Sequence, residues 1–373
     1  MQDRFDVVVV GAGAAGIAAL RTLLAAGVSA VALEARDRVG GRAHTITARP
    51  DLPLDHGCAW LHSADRNPLP RQIEAAGFAI DRTPPFWERQ AGNQDFSPQD
   101  QAAFREAYRA FDVRMEEAAK AGVDRPGAEL FEPGGRWNPL IDAVSSYYNG
   151  AEYDQVSVLD YDAYDDSGVN WRVAAGYGAA IAAFAPADHI VLRCQVGRID
   201  HGGPRLRLET ARGTVTAEAV IVAVPTPALA DGRLNFSPGL PAKAAAAAGL
   251  PLGLADKVFL GLDGPDDLPV DGHLFGRTDR TETASYHLRP FGRPYIEAYF
   301  GGRCAAALEA EGQGALTAFA LEELAGLIGS AFRRRLTPLA ETAWNTDPFS
   351  RGAYSHALPG RAGDRAELAR PVD

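Results

Sequence analysis

The chain opens with a strand, a glycine-rich turn and a helix, in that order. Residues 5–10 read FDVVVV, a short apolar run that is typical of a strand buried on both faces of a parallel sheet. Gly11, Gly13 and Gly16 follow at once with the spacing G-x-G-x-x-G, and a helical pattern then runs to about Ala26. This succession predicts a strand–turn–helix unit whose helix begins at the glycines.

A second predicted strand, residues 29–33, leads directly into Glu34. In a unit of this kind the first glycine makes the tight turn, the second lets the backbone approach a pyrophosphate, and the third lets the helix pack on the strand. The helix N-terminus then faces the phosphate charge. Glu34 follows the glycines by about 20 residues, where a carboxylate can hold ribose hydroxyl groups. Together these features predict a dinucleotide-binding site.

Three arginines and a second pair of glycines follow Glu34, in the run ARDRVGGR at residues 35–42. One interpretation is a surface for a cofactor group that lies beyond the pyrophosphate, as in FAD. The other is a solvated basic turn. The spacing alone leaves both interpretations open.

The run EARDRVGGR from Glu34 to Arg42 resembles the N-terminal signature of the flavin amine oxidase superfamily. That superfamily includes monoamine oxidases, polyamine oxidases, L-amino-acid oxidases and lysine-specific histone demethylases. The resemblance implies an FAD cofactor with Glu34 at the adenosine ribose. It also implies that the cofactor lies against the turn and the arginine run, at Gly11, Gly13, Ala14, Ala15, Gly16, Ala35, Arg36, Gly40, Gly41 and Arg42.

Composition limits the partners and the compartment. The 373 residues carry a formal net charge of −11, which argues against nucleic acid as a partner and suits cationic small molecules. Three cysteines, far apart in the chain, favour free thiols in a reducing compartment. The cofactor strand starts at Phe5, which leaves no room for a targeting peptide, and no apolar run reaches the ~20 residues of a membrane span. We expect a cytoplasmic protein without a membrane partner.

The stretch DHGCAWLH at residues 55–62 resembles the superfamily segment that passes near the flavin and opens into the substrate domain. The resemblance places Ala59 and Trp60 at the cofactor and His62 near the substrate amine. A lone histidine beside a tryptophan is also typical of a packed, hydrogen-bonded residue, and the sequence leaves this alternative open.

The α/β pattern returns after residue 176 and resembles the second FAD-domain segment of the superfamily. The resemblance implies a backbone contact from Val196 to the adenine, and it places Val224 and Pro225 in the loop after the strand VIVAV. No second complete G-x-G-x-x-G occurs in the sequence. This argues against a nicotinamide site and favours an oxidant other than NAD(P).

Lys257 stands at the start of an alternating apolar strand, in the run LADKVFLGL at residues 254–262. On pattern alone it is a solvated lysine at a strand edge. The superfamily has a lysine in this K-V-x-L setting, hydrogen-bonded through water to the reactive ring nitrogen of the flavin. The resemblance makes Lys257 the candidate functional lysine, a role that a desolvated amine would suit.

The segment WNTDPFSRGAYS, residues 344–355, closely resembles the superfamily motif W-x-x-D-P-[FYW]-x-R-G-[SA]-Y-S. The resemblance lays Trp344 against the isoalloxazine ring and makes Tyr354 one wall of an aromatic box before the flavin. The alternative is two core aromatics near a turn. Ala353 stands where monoamine oxidases have a cysteine bonded to the flavin, which predicts non-covalent FAD.

Other segments give weaker predictions. The pattern indicates a helix over 98–121, separate strands over 214–217 and 220–224, and one long helix over 313–336. The acidic, tyrosine-rich stretch 147–166 is either a rim that attracts cationic amines or a solvated loop.

The sequence stops where the superfamily continues into a strand, an F-A-G-E-type segment and a final helix. In the superfamily that part binds the ribityl and pyrophosphate groups and supplies the second aromatic wall. We expect a fragment, a companion polypeptide that supplies the remainder, or a degenerate protein that binds FAD weakly. A homo-oligomer also stays open.

These patterns predict an α/β fold. A Rossmann-like FAD-binding domain would comprise residues 1–75, 172–245 and 338–373, with an inserted discontinuous α+β substrate domain at 76–171 and 246–337. The predicted activity is oxidation of a primary or secondary amine, polyamines among them, to an imine, with dioxygen as acceptor and hydrogen peroxide as product. The alternatives are a flavin oxidase or desaturase acting on a C–C bond, and an incomplete subunit that needs a partner. No metal site is predicted.

Overall fold

The computed structural model describes residues 3–88, 95–265 and 267–372. Residues 1–2, 89–94, 266 and 373, which the predicted domain ranges include, lie outside the described residues. The first predicted strand, Arg4–Val10, lies in a seven-stranded sheet and pairs in parallel with Ala30–Leu33 and Gly213–Val222. In spatial order the strands of this sheet are Asn235–Ser237, Val196–Asp200, Leu206–Thr210, Gly213–Val222, Arg4–Val10, Ala30–Leu33 and Ile190–Val191.

The strand–turn–helix unit forms as the sequence predicts. Val8, Val9 and Val10 are buried, and the helix Ala14–Ala25 packs its own buried side chain Leu20 onto the sheet. Burial on both faces explains why the strand reads as a continuous apolar run. The predicted α/β class is confirmed.

The two strands predicted at 214–217 and 220–224 are one strand, Gly213–Val222, so the prediction of a break between them is wrong. The polar residue Glu218 does not interrupt the strand, because its side chain is exposed and forms an ion pair with Arg205. The strand pairs antiparallel with Leu206–Thr210 through its first half and parallel with Arg4–Val10 over Thr216 to Val222.

A second sheet has five antiparallel strands and two chemically different faces. Val258, Leu260 and Phe300 point to an apolar core that the sheet shares with the helices Gly302–Glu311 and Ala315–Ile328. The alternate residues of these strands, which include Lys257 and Glu297, lie on the other face. In spatial order the strands are Gly272–Phe275, Ser285–Leu288, Tyr295–Gly301, Ala255–Leu262 and Leu336–Glu341.

The prediction of one long helix over 313–336 is wrong. The helix Ala315–Ile328 ends at Gly329, whose φ of +121° is closed to residues with a side chain. A 3₁₀ turn, Ser330–Arg335, and the strand Leu336–Glu341 follow it. The apolar spacing continues past Gly329, but the helix ends there because the glycine adopts a non-helical backbone conformation.

The remaining elements are short, apart from the helix Pro98–Lys120, which Ser97 caps as predicted by accepting from the Asp100 amide. The other α-helices are Leu69–Ala75, Asn138–Asn149, Val158–Asp162, Tyr177–Ala183, Thr226–Ala230, Pro241–Ala248 and Asp364–Ala369. The other 3₁₀ turns are Phe86–Glu88, Gly127–Leu130, Ala187–His189 and Pro290–Gly292. Small sheets pair Thr45–Arg49 with Leu52–Asp55, Leu252–Gly253 with Tyr354–Ser355, and Trp171–Val173 with both Trp60–Leu61 and Ile80–Asp81.

The division into two domains stays a prediction. Strands of the seven-stranded sheet come from the ranges predicted for the FAD domain, whereas Leu336–Glu341, at the predicted boundary, belongs to the five-stranded sheet. No helix within the described ranges combines the length and the apolar composition that crossing a bilayer requires.

Candidate active site

The glycine-rich turn has the tight geometry that its spacing predicts. Gly11 has a φ of +100°, and a Cβ there would lie 2.6 Å from the carbonyl oxygen of Ala223. A Cβ on Gly16 would lie 1.9 Å from the carbonyl oxygen of Gly11, so the helix approaches the strand this closely only without a side chain. The nearest described protein atoms to a Cβ on Gly13 would be 4.0 Å away, which leaves room beside the turn.

The helix that follows the turn presents free backbone donors. Among the described residues no side chain caps its N-terminus at Gly13, and its first turn has no acidic residue. The first amide groups of a helix have no partner within the helix, and here they include those of Ala14, Ala15 and Gly16. Such a terminus is suited to an anion such as a pyrophosphate.

Glu34 lies at the end of the neighbouring strand and is buried. Its Oε2 accepts a hydrogen bond from the Ala12 amide at 2.7 Å, and its Oε1 accepts one from the Arg36 amide at 2.9 Å. These bonds fix the carboxylate, while each oxygen keeps a second lone pair. A ribose diol fits this arrangement of acceptors.

The second glycine pair lies against the first turn. Gly40 forms a parallel bridge with Gly13, and a Cβ on Gly41 would lie 3.2 Å from the Gly13 Cα. The contact at Gly41 is tighter than an ordinary Cβ contact, and the φ of +60° at Gly41 favours glycine there. The structure thus places Gly40 and Gly41 at the predicted cofactor site.

Two more predicted segments reach the same place. The Ala223 amide donates to the carbonyl of Val10, so Val224 and Pro225 begin the loop beside the glycine turn. The Cys194 amide donates to the carbonyl of Glu34, and the strand containing Val196 starts two residues later. Ala35 lines a surface cavity of about 440 Å³ nearby.

Arginines of the second glycine segment hold the segment 344–355. Arg36 donates from Nη1 to both carboxylate oxygens of Asp347, at 2.7 and 2.8 Å. Arg42 donates to the carbonyl oxygen of Ala353. The two guanidinium groups therefore join the predicted dinucleotide site to the predicted aromatic segment. Sequence reasoning missed these contacts, which span about 311 positions.

Trp344 is fixed from both sides. Its indole Nε1 donates to the carbonyl of His56 at 3.0 Å, and its backbone amide donates to Asp256 Oδ1 at 3.1 Å. Asp256 is fully buried, and its Oδ2 has no hydrogen-bond partner among the described residues. Burial raises the pKa of Asp256 to about 7, with the nearby carboxyl of Glu309 adding to the effect.

Lys257 is buried and paired. Its side chain is 7% exposed, and Nζ donates to the carbonyl of Asp55 at 3.0 Å. Nζ also lies 3.1 Å from Oε1 of Glu297, which forms an ion pair with it. The interpretation of Lys257 as a solvated lysine at a strand edge is therefore wrong, because Ala255–Leu262 has a neighbouring strand on each side.

Tyr354 is linked to the surroundings of Lys257 by contacts with two other tyrosines. Its hydroxyl donates to the carbonyl of Tyr147 at 3.3 Å, and the rings of Tyr147 and Tyr299 lie 6.2 Å apart. Lys257 Nζ lies 5.9 Å from the centre of the Tyr299 ring. Burial raises the pKa of Tyr354, so its hydroxyl stays protonated.

The structure gives His62 and Trp60 other contacts. His62 is exposed, and its Nδ1 lies 2.6 Å from Oδ1 of Asn170. The Trp60 ring packs against Trp87, with centroids 4.6 Å apart, and Arg172 lies over it. The assignments of His62 to the amine and of Ala59 and Trp60 to the cofactor stay predictions.

Most carboxylates of the predicted acidic rim have arginine partners. Glu152 and Asp154 pair with Arg303, Asp160 pairs with Arg365, and Asp165 pairs with Arg66. Tyr148 and Tyr164 remain exposed. These pairs reduce the charge that would attract an amine. The stretch is not a solvated loop either, because it includes the helix Val158–Asp162 and because Glu152 and Tyr153 are buried. The rim stays a prediction.

The site fits a flavin dinucleotide. The free helix donors, the room beside Gly13 and the fixed Glu34 acceptors match a pyrophosphate and a ribose. Glu297 was missed by sequence reasoning, although it is the single charged residue in the strand YIEAYFG, which was a usable signal.

Similar proteins are known along nearly the whole length of the chain. The chain is 27% identical to polyamine oxidase 4 of Oryza sativa subsp. japonica over 99% of this chain and 82% of that protein. It is also 27% identical to polyamine oxidase 2 of Arabidopsis thaliana, over 99% of this chain and 81% of that protein.

Solved structures share the fold. Wild-type putrescine oxidase bound to putrescine superposes with a TM-score of 0.76 at 21% identity, over 99% of this chain and 92% of that one. Cyclohexylamine oxidase from Brevibacterium oxydans IH-35A gives 0.75 at 20% identity, over 99% and 91%. A family model described as flavin containing amine oxidoreductase matches residues 14–372. The chain therefore belongs to the flavin-containing amine oxidoreductase family, as a flavin-dependent oxidoreductase with FAD as its cofactor.

Proposed function

We propose that this protein is an amine oxidase that converts a primary or secondary amine to an imine, with dioxygen as acceptor and hydrogen peroxide as product. The observation that carries the proposal is the pair of arginine contacts, from Arg36 and Arg42, that joins the dinucleotide site to the segment with Trp344 and Tyr354. The names of the similar proteins support amine substrates, with polyamines as the first class to test.

When bound, FAD would accept a hydride from the α-carbon of the amine, which is the oxidation itself. The chain's own residues would orient the neutral amine and exclude water. Tyr354 is half-buried and offers an apolar ring surface for this, and its protonated hydroxyl adds no charge. Trp344 is 6% exposed and packs in the apolar core. Lys257 would hold a water molecule through its Nζ. The imine product would then hydrolyse in water.

The residue before Tyr354 is Ala353, which offers no thiol for a bond to the cofactor. We therefore propose that the FAD is non-covalent. The three free thiols, Cys58, Cys194 and Cys304, support a reducing compartment such as the cytoplasm.

A visible absorption spectrum of the purified chain, recorded with and without added FAD, tests the proposal first. We expect a flavin spectrum, intact FAD in the supernatant after acid precipitation, and peroxide production in a screen of polyamines, monoamines and amino acids. A holoprotein that reduces its flavin with none of these amines would contradict the proposed activity. Flavin that stays with the acid-precipitated protein would contradict non-covalent binding.

Lys257→Met tests the lysine. We expect flavin reduction or reoxidation to slow by about tenfold or more, because a positioned proton-holding group typically contributes at least that much. The control is Lys120→Met, which removes an exposed lysine paired with Glu116 on the surface. Stopped-flow rates equal to those of the unmodified protein would remove the role proposed for Lys257.

A further inference from the structure

Glu297 and Lys257 lie on the same face of the five-stranded sheet, on adjacent strands. The strand register puts Tyr299 opposite Lys257 and Phe259 opposite Glu297, so the two charged side chains are diagonal neighbours. Their side chains are only 7% and 16% exposed, and Nζ lies 3.1 Å from Oε1. The pair is therefore largely desolvated, although solvent still reaches the carboxylate.

Glu297 is the only carboxylate within ion-pair distance of Lys257 in the ranges that the structure describes. The carboxyl group of Asp55 is turned elsewhere, since it accepts from the Thr45 hydroxyl and from the amides of Tyr177 and Gly178. Among the described carboxylates, Glu297 is therefore the one that compensates the charge of Lys257 by direct contact.

Neighbouring histidines add no positive charge at neutral pH. Burial lowers the pKa of both His44 and His56 to about 4. His287, directly opposite Glu297 on the next strand, also has its pKa lowered by burial. Its Nε2 lies 2.8 Å from Asp271, which is itself paired with Arg172. The Lys257–Glu297 pair therefore dominates the charge of its own part of this face.

We propose that Glu297 determines substrate specificity by cancelling the charge of Lys257, so that the site admits cationic amines and does not attract anions. Aliphatic amines reach an enzyme mainly as ammonium ions at neutral pH, since their pKa is near that of lysine, ~10.4. Such an amine would enter the site as a cation and release its proton to solvent before the neutral amine is oxidised. An uncompensated Lys257 in a desolvated site would repel them. This inference rests on the proposed function, because it places Lys257 beside the flavin and an amine before it.

Sulfite binding to the holoprotein tests this charge without any amine turnover. Sulfite is an anion that adds reversibly to oxidised flavin and bleaches its absorption, so a titration gives its Kd. We expect Glu297→Gln to bind sulfite about tenfold more tightly and Lys257→Met about tenfold more weakly than the unmodified protein, by Coulomb interaction at short range. The double variant, which again has no net charge at this pair, should return close to the original Kd.

Two controls accompany the titration. Glu297→Asp keeps the charge and should restore a Kd near that of the unmodified protein. Glu322→Gln removes an equal charge from an exposed pair with Arg333 and should change nothing, because solvent screens that pair. Equal sulfite affinity in all variants, or a double variant that matches Glu297→Gln, would overturn the inference.

The amine found in the peroxide screen provides the second readout. Glu297→Gln should raise its KM about tenfold with a smaller change in kcat, and adding Lys257→Met should lower the KM again. A KM that stays high in the double variant would mean that Glu297 binds the ammonium group directly, which overturns charge cancellation. A holoprotein with the expected sulfite pattern that oxidises no amine would refute the proposed function alone.

Should the chain take up no FAD, thermal unfolding of the apoprotein still tests the pair. Each single variant leaves a buried charge without its partner. The sum of the two single-variant losses in midpoint temperature should therefore exceed the loss in the double variant. Additive losses would show that the two side chains do not interact, and the inference would fall.

Discussion

At the scale of single residues, Asp256 makes the pH dependence of stability predictable. Burial raises its pKa to about 7 in the folded protein, whereas an unfolded chain has an aspartate pKa of about 3.9. The folded state therefore binds the proton more tightly, and the free energy of unfolding falls as pH rises from about 4 to about 7. Above that window this contribution is constant.

Asp256→Asn should remove this dependence. The amide oxygen can still accept from the Thr342 hydroxyl and the Trp344 amide, and the new N–H group can donate towards Glu309. We expect the variant to be more stable at pH 8 by roughly 1–3 kcal/mol and about equally stable at pH 4. Urea unfolding at both pH values measures the difference.

The control for Asp256→Asn is Asp188→Asn, which changes an exposed carboxylate. It should leave the pH dependence as it is in the unmodified protein. If Asp256→Asn lowers stability equally at both pH values, the carboxyl of Asp256 is not protonated in the folded state.

At the scale of elements, Gly13 and Gly16 separate cofactor binding from folding. Gly13 has a φ of −74° and room for a Cβ, so Gly13→Ala should leave the apoprotein's stability within about 1 kcal/mol. A methyl group in the space where the pyrophosphate would lie should still weaken FAD binding by about tenfold or more. Fluorescence titration with FAD and thermal unfolding of the apoprotein measure the two effects.

Gly16→Ala should instead lower the stability of the apoprotein. Its Cβ would lie 1.9 Å from the Gly11 carbonyl oxygen, so the helix must move off the strand, at a cost of roughly 2 kcal/mol or more. If Gly13→Ala destabilises the apoprotein as much as Gly16→Ala does, or binds FAD normally, the turn does not have the roles that its spacing predicts.

Local pattern determined which elements could be predicted. The first strand, the glycine turn and the helix Pro98–Lys120 have signals within a few residues, namely apolar period, backbone freedom and a capping serine. The strand Leu336–Glu341 has no such signal. It has the exposed pattern of an edge, and its place is decided by pairing with Ala255–Leu262.

At the scale of the whole molecule, the candidate site is assembled by contacts that no local pattern encodes. The pairing of Arg36 with Asp347 and that of Lys257 with Glu297 depend on which strands and turns become neighbours after folding. The motifs contain Arg36, Asp347 and Lys257, but they record single positions and not which of these residues pair. Glu297 lies in none of the motifs.

These long-range contacts should make the chain unfold as one unit with FAD bound. FAD binds the folded state, so at 100 times its Kd it should stabilise that state by about 2.7 kcal/mol and raise the unfolding midpoint by a few degrees. The segment 344–355 is held by Arg36 and Arg42 on one side and pairs through Tyr354 with Gly253 on the other. Stabilisation at the glycine turn should therefore reach the five-stranded sheet, and calorimetry should show a single transition.

Gly13→Ala at the same FAD concentration is the control, and it should show a much smaller shift in the unfolding midpoint. Two transitions, of which FAD moves only one, would mean that the arginine contacts do not couple the two sheets.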